Sequence, residues 1–265
     1  MRFVLCAAAC AALVACGGSQ SSRSFQADVA EDTISLSDID LDVTFERDTS
    51  RDPEAIFALA SDTPEDGPAR YLAASTSDAT RAAILISHGD TASTADVFFD
   101  QIIAPTAPTT GRGTFEGAYF GTFTFQEQNN LMARIDGTAK FAVNFDTLSI
   151  SGFIRDRTSP LFGVEDQDQV PLLFDLSTSL LLETADIDEN GAFNGNVTVI
   201  DLPRGEGGNG AIVADLGRYS GTFGGSNAEE IVGAVRLTSR DENDDIKPET
   251  GEVGVFRAIR TPDTP

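Results

Sequence analysis

A chain of 265 residues with a net charge of −24 repels phosphate backbones and anionic lipid headgroups at long range, which excludes nucleic acid as a partner. Its three cysteines, Cys6, Cys10 and Cys16, all fall at the N-terminus, so the body of the chain has no thiol for a disulfide, a metal or a nucleophile. The length accommodates one large or two small domains.

At the start, Arg2 precedes an apolar run from Phe3 to Ala12 that is too short to cross a bilayer as a helix and reads as a signal h-region. The run ends in Leu13-Val14-Ala15-Cys16, which looks like a bacterial lipobox: residues 1–15 form the signal peptide, and the Cys16 thiol is the lipidation site that takes the diacyl anchor, palmitate included. An ordinary secretory signal cut near Ala15 is the alternative. The polar run from Gly17 to Ser24 favours the anchor, because residues 16–24 supply the slack a lipid-held domain needs to stand off a membrane. Two or more acyl chains make such attachment stable. Gly17, rather than Asp, follows the cysteine, and under the enteric sorting rule this implies the outer membrane.

Residues 25–103 form a strand-rich N-terminal region. Ile39, Leu41, Val43 and Phe45 alternate with Asp40, Asp42, Thr44 and Glu46 as a half-buried strand. Tyr71 to Ala74 and Ala82 to Ser87 read as further strands. Between Ala95 and Ile103 the apolar residues Val97, Phe98, Ile102 and Ile103 fit a helical face, although Phe98-Phe99 and Ile102-Ile103 also fit buried strand ends; the stretch is read as a short helix. Two prolines among threonines, from Ala104 to Thr110, disfavour helix and ladder alike and mark residues 104–110 as a linker.

From residue 111 to 260 the texture changes to glycines beside bulky residues, as in Phe115-Glu116-Gly117, Tyr119-Phe120-Gly121, Ile150-Ser151-Gly152-Phe153, Phe193-Asn194-Gly195 and Tyr219-Ser220-Gly221. Glycine at such places lets a strand coil sharply beneath a covering ring, a habit of barrels. Eight strands are expected near 113–125, 132–145, 147–156, 170–186, 192–201, 211–223, 229–239 and 251–260. The fold class is therefore all-β: an eight-stranded antiparallel up-and-down β-barrel preceded by a smaller, handle-like, strand-rich region. Phe141, Val143, Phe145, Leu148, Ile150 and Ile154 are the expected inward set, and their bulk predicts a filled interior. Asp136-Gly137 is a hairpin signal by turn propensity. At Gly221, Tyr219 or Phe223 is the expected covering ring, with Gly224-Gly225 making the tight connection to a strand that begins near Ala228.

The pattern of Tyr219, Gly221, Phe223 and Gly224, followed by Ala228-Glu229-Glu230 and then Gly233, resembles the closing signature of the barrel domain of transferrin-binding protein B and its relatives among bacterial surface lipoproteins. Residues Ile135 to Phe145, followed by Ser149 to Gly152, look like the paired strands of that family, in which the glycine corresponding to Gly137 lies within the ladder; the resemblance thus implies one unbroken strand. It covers roughly residues 111–260. The longest members of the family carry two lobes where this chain has room for one. The resemblance implies a lipid-anchored outer-membrane protein at the cell surface whose barrel loops bind a protein or a nutrient carrier. The contrasting expectation is a periplasm-facing, lipocalin-like lipoprotein that holds a small molecule inside the barrel.

Enzyme chemistry has too few parts. His88 is the single histidine, so neither a zinc site nor a nucleophile and base relay can be assembled, and it reads as a residue at a strand end. Asp186 to Gly191 opens like a calcium loop, but Val197 stands where a bidentate Glu is required, and Asn190-Gly191 is more simply a hairpin turn. Asp241, Asn243, Asp245 and Glu252 have calcium-ligand spacing without the glycine, since Ile246 stands at the bend. The glycine-rich run from Arg204 to Gly210 lacks the Asp or the Gly-Lys-Ser that would make it a calcium or phosphate loop, and reads as a hairpin tip. No metal, cofactor or catalytic residue is expected.

Overall fold

The computed structural model describes residues 25–28, 33–36, 39–44, 46–47, 56–62, 69–88, 93–105, 110–125, 131–160, 173–175, 178–201, 212–240 and 246–262. The signal sequence, Cys16 and its tether, the glycine run at 204–210 and the acidic stretch at 241–245 lie outside the described residues. Among the described residues every regular element is a strand.

Strands β1 (Phe25–Asp28), β2 (Thr33–Leu36) and β3 (Ile39–Thr44) make a three-stranded antiparallel sheet. A five-stranded antiparallel sheet follows, with β4 (Glu46–Arg47), β5 (Ile56–Asp62), β6 (Ala69–Thr76), β7 (Thr80–His88) and β8 (Ser93–Gln101) in chain order. The helix expected across Ala95 to Ile103 is therefore a strand. β8 pairs with β7 along its whole length, and Ala95, Val97 and Phe99 share one face that packs onto a buried cluster. The working period is two, and Ile102 and Ile103, which completed the helical pattern, lie beyond the strand and are exposed.

The barrel follows. Its strands are β9 (Arg112–Phe125), β10 (Leu131–Asn144), β11 (Ser149–Pro160), β13 (Thr178–Asp186), β14 (Ala192–Asp201), β15 (Ile212–Gly224), β16 (Glu230–Arg240) and β17 (Ile246–Arg260), with the short β12 (Leu173–Asp175) paired only to the end of β11. Each strand pairs with the next in sequence, and β17 pairs with β9 to close the ring. This is the expected eight-stranded up-and-down barrel. β10 runs unbroken through Asp136-Gly137, as the family resemblance implied and turn propensity did not.

Alternation decides what lies inside. β10 turns Ile135, Ala139, Phe141 and Val143 into the core, and β11 turns in Ile150 and Ile154. Leu148 departs from the expected inward set: it sits in the turn between β10 and β11 with a φ of 48° and is 44% exposed. The turn needs a left-handed residue there, and this takes the side chain out of the alternation.

At Gly221 and Gly195 the covering ring comes from the strand partner. A β-carbon at Gly221 would stand 2.5 Å from the Val232 carbonyl oxygen and 2.6 Å from the Phe193 ring. The covering ring is thus Phe193, from the adjacent β14, rather than Tyr219 or Phe223 of the same strand. Tyr219 in turn lies over Gly195. Gly225, at a φ of 87°, makes the tight connection after β15, and β16 begins at Glu230.

The outer wall is not uniformly wet. Ala118 and Phe120 of β9, Val232 and Ala234 of β16 and Val255 of β17 are buried against Ala73, Ala82, Ile84 and Ile86 of the five-stranded sheet. That sheet therefore lies on the wall where the first and last barrel strands meet, and burial of these two apolar faces holds it there.

Candidate functional site

The barrel has two ends of different make. At one, the connections are the short turns at 145–148, 187–191 and 225–229, and the interior is packed with rings. Phe223 lies 5.8 Å from Phe115, 5.9 Å from Phe145 and 5.9 Å from Phe193, centroid to centroid. These are the separations and tilts that aromatic quadrupoles favour. Farther in, Phe141 and Phe256 meet at 4.9 Å. The interior is filled by side chains, as an eight-stranded barrel allows.

The other end is where the connections at 126–130, 161–172, 202–211 and 241–245 leave the described strands, and its floor is polar. Tyr119 donates to Glu252 Oε1 at 2.6 Å, Arg157 pairs with the other carboxylate oxygen, and Arg157 also donates to the Thr178 hydroxyl at 2.7 Å and to its carbonyl at 3.2 Å. Arg157 and Glu252 are buried almost completely. A β-bulge makes this possible. Thr138 pairs with Arg155, and two residues earlier Asp136 pairs with Thr158, so Gly137 faces both Asp156 and Arg157. Asp156 takes a φ of 53°. The extra residue shifts the alternation, and the arginine that would have faced solvent points into the barrel.

Burial, and after it the Glu252 charge, raises the Tyr119 phenol well above its ordinary value, so Tyr119 stays protonated and acts as donor. Burial also pushes the Glu252 carboxyl up, while the Arg157 charge and the Tyr119 hydrogen bond pull it back. Tyr219, whose hydroxyl donates to the Glu183 carbonyl at 2.5 Å, is pushed up to about 12 by burial and by the Glu183 charge.

A second polar group joins sheet and barrel. Glu230 receives the Ser77 hydroxyl at 2.7 and 2.8 Å, pairs with Arg257 at 2.8 Å and accepts from Thr80, whose own oxygen accepts from Arg257 Nε at 3.0 Å. Gln101 of β8 donates to the Phe223 carbonyl, and the Gly225 amide donates to the Ile103 carbonyl at 3.1 Å.

Of the residues singled out in the sequence, His88 ends β7. Asp188 is occupied by its own turn, accepting the Asn190 and Ala192 amides at 2.8 Å each. Glu252, considered as a calcium ligand, lies inside the barrel paired to Arg157. Among the described residues no group of three or more acidic, histidine or cysteine side chains is placed to hold a metal. The sequence reading missed Arg157, Tyr119 and Thr178. A charged Arg-Asp-Arg run at the end of the strand expected at 147–156 was the one local sign of a bulge.

On the uncovered wall, Phe153 and Leu181 are cross-strand partners left more than a third exposed. They border an open groove of about 420 Å³ that also touches Ala142, Ser151 and the Lys140–Glu116 pair. A larger groove of about 540 Å³ runs past Asp136, Asp156 and Thr158.

Fold and site together define a class: a closed, side-chain-filled β-barrel with one sheet docked on its seam and a polar floor under its loop end. No protein-family model and no curated protein matches the sequence. Solved structures similar to the chain include a mutant of the vaccine antigen transferrin-binding protein B from Haemophilus parasuis Hp5, at 16% identity over 78% of this chain and 38% of that one, with a TM-score of 0.47. Isotype 1 transferrin-binding protein B from serogroup B Neisseria meningitidis is 18% identical over 82% of this chain and 41% of that one, with a TM-score of 0.43. A surface lipoprotein is 16% identical over 69% of this chain and 76% of that one, with a TM-score of 0.42. The chain spans about two fifths of the length of the transferrin-binding protein B chains it matches. At these identities the likeness is one of fold alone.

Proposed function

We propose that the chain is a lipid-anchored lipoprotein of the outer membrane, displayed at the cell surface through Cys16, whose barrel loops bind a protein or a nutrient carrier. The observation that carries the binding mode is the filled interior. A barrel packed from Phe223 and Phe145 at one end to the Tyr119, Arg157 and Glu252 cluster at the other has its inner volume taken up by its own side chains, so recognition belongs to the rim and outer wall. The same packing opposes the lipocalin-like alternative, which needs an open cup. The closing motif from Tyr219 to Gly233 supports a surface-lipoprotein role, and Leu13 to Gly17 supports the anchor.

Metabolic labelling with palmitate tests the anchor: the wild type takes up label and Cys16→Ser does not, and equal labelling of the two would overturn it. Binding at the rim is tested by pull-down with the soluble form from Ser19 onward, beside a variant whose residues 161–172 are replaced by a Gly/Ser segment of equal length. A ligand captured equally by both, after the corresponding replacements at 126–130, 202–211 and 241–245 as well, would remove the loops from the binding site.

A further inference from the structure

Arg218 on β15 and Arg236 on β16 stand directly opposite each other in the strand register, and both are exposed on the outer wall. Like charges in that relation repel and weaken the pairing. The chain has 42 acidic residues against 18 Lys and Arg, so acidic neighbours are not scarce. Four other cations of the barrel have one: Lys140 pairs with Glu116, Arg134 with Asp136, Arg155 with Asp156 and Arg257 with Glu230. Among the described residues the Arg218 and Arg236 side chains form neither an ion pair nor a hydrogen bond. Their register neighbours are neutral, Asn196 on β14 beside Arg218 and Val253 on β17 beside Arg236. Glu183, one strand farther, is engaged with Asn196 and Thr198. One step toward the short turns, the opposed pair Ser220 and Ala234 is buried. The arginines thus open to solvent immediately beside covered wall.

We propose that Arg218 and Arg236 together bind one compact oxyanion of the phosphate or sulfate class. Two guanidinium forks projecting from opposed positions of adjacent strands, with α-carbons about 5 Å apart, can converge on one tetrahedral anion through paired N–H donors. The anion removes the repulsion that the free pair carries. An isolated group is favoured over an extended anionic surface, because the field of a chain with a net charge of −24 opposes the latter. This site is independent of the loops and of whatever they bind.

The test is thermal unfolding of the full chain in low-salt buffer, with inorganic phosphate titrated against sodium chloride at matched ionic strength. The wild type should show a saturable rise in Tm of roughly 1–3 °C in phosphate beyond that in chloride. Arg218→Gln and Arg236→Gln should each lose that rise, and without phosphate each should be at least as stable as the wild type. Arg236→Lys, which keeps the charge and loses the fork, should show a weaker response. An equal response in wild type and both glutamine variants would overturn the site. So would variants that are less stable than the wild type without phosphate, since the arginines would then be serving the fold. Co-sedimentation with phosphatidylglycerol vesicles, against phosphatidylcholine, decides the source: arginine-dependent binding assigns the site to a lipid headgroup, and its absence to the free anion.

Discussion

The two ends of the barrel solve the same problem with opposite chemistry. At the short-turn end, closure comes from aromatic packing around Phe223, where each ring buries a large apolar surface and asks little of its neighbours beyond shape. At the loop end, closure comes from Tyr119, Glu252, Arg157 and Thr178, each of which depends on the others for its hydrogen bonds. An apolar plug tolerates the loss of one member in proportion to volume. A buried ionic floor is all or nothing, because one missing partner strands the other's charge. The difference teaches that the end bearing the long connections is held by directional bonds that fix strand ends in place, while the opposite end is held by contact area.

That contrast can be broken most directly at the rings. Phe223→Ala should cost about 3–5 kcal/mol in urea unfolding, because it vacates the space shared by Phe115, Phe145 and Phe193. A loss below about 1 kcal/mol would mean the short-turn end is not the packed end. At the loop end, Glu252→Leu should cost about 3 kcal/mol by removing the carboxylate that pairs with buried Arg157, whereas Glu252→Leu combined with Arg157→Met should recover most of that loss. Additive costs would show that the two side chains do not act as a unit. Gly221→Val should cost roughly 1–3 kcal/mol, since its β-carbon would be forced against the Val232 carbonyl and the Phe193 ring. Gly208→Ala, in the connection between β14 and β15, should change stability by less than about 0.5 kcal/mol.

The smallest expected effect is one of pH. Tyr219 ionises at about 12 in the folded chain and near 10 in the unfolded one, and Tyr119 is raised in the same direction. Between those values the unfolded chain has released protons that the folded chain keeps. The contribution to stability is therefore whole below pH 10 and is lost as pH rises toward 12. With three tyrosines and no tryptophan in the chain, phenolate absorbance reads this directly. Tyr119 and Tyr219 should give up their protons only above the ordinary phenol range; ordinary titration of both would remove their hydroxyls from the interior.

Where the pattern is local, the sequence reading and the structure agree. Thr138 to Asn144 alternates without a break and is a strand; the glycine and ring texture after residue 111 is a barrel of eight strands at nearly the expected places. Leu148 and β8 were misread for local reasons too: a left-handed turn residue interrupts the first, and in the second Phe98 on the opposite face, with Ile102 and Ile103 beyond the strand, completes a helical pattern. What stayed illegible is what the register brings together from afar. Tyr119 and Glu252 are 133 positions apart, and Arg157 and Glu252 are 95 apart. Nothing in the neighbourhood of Gly221 indicates that its covering ring comes from Phe193. The polar floor was hidden for a further reason: an Arg in a strand is expected to face solvent, and only the bulge opposite Gly137 reverses it.

The docked sheet lies across the seam between β9 and β17, and this has a consequence for the order of events as the chain is made. β6, β7 and β8 are produced early, but Val255, which completes their landing surface, belongs to the last strand. A chain that emerges N-terminus first must therefore carry Ile84, Ile86 and Phe99 without their partners until nearly all of it is present. The contacts that bury them are among the most distant in sequence that the fold contains, and such contacts form slowly. The waiting sheet is thus the segment most exposed to wrong partners before the ring closes, and a chain truncated just before β17 would leave both the seam and the sheet without cover.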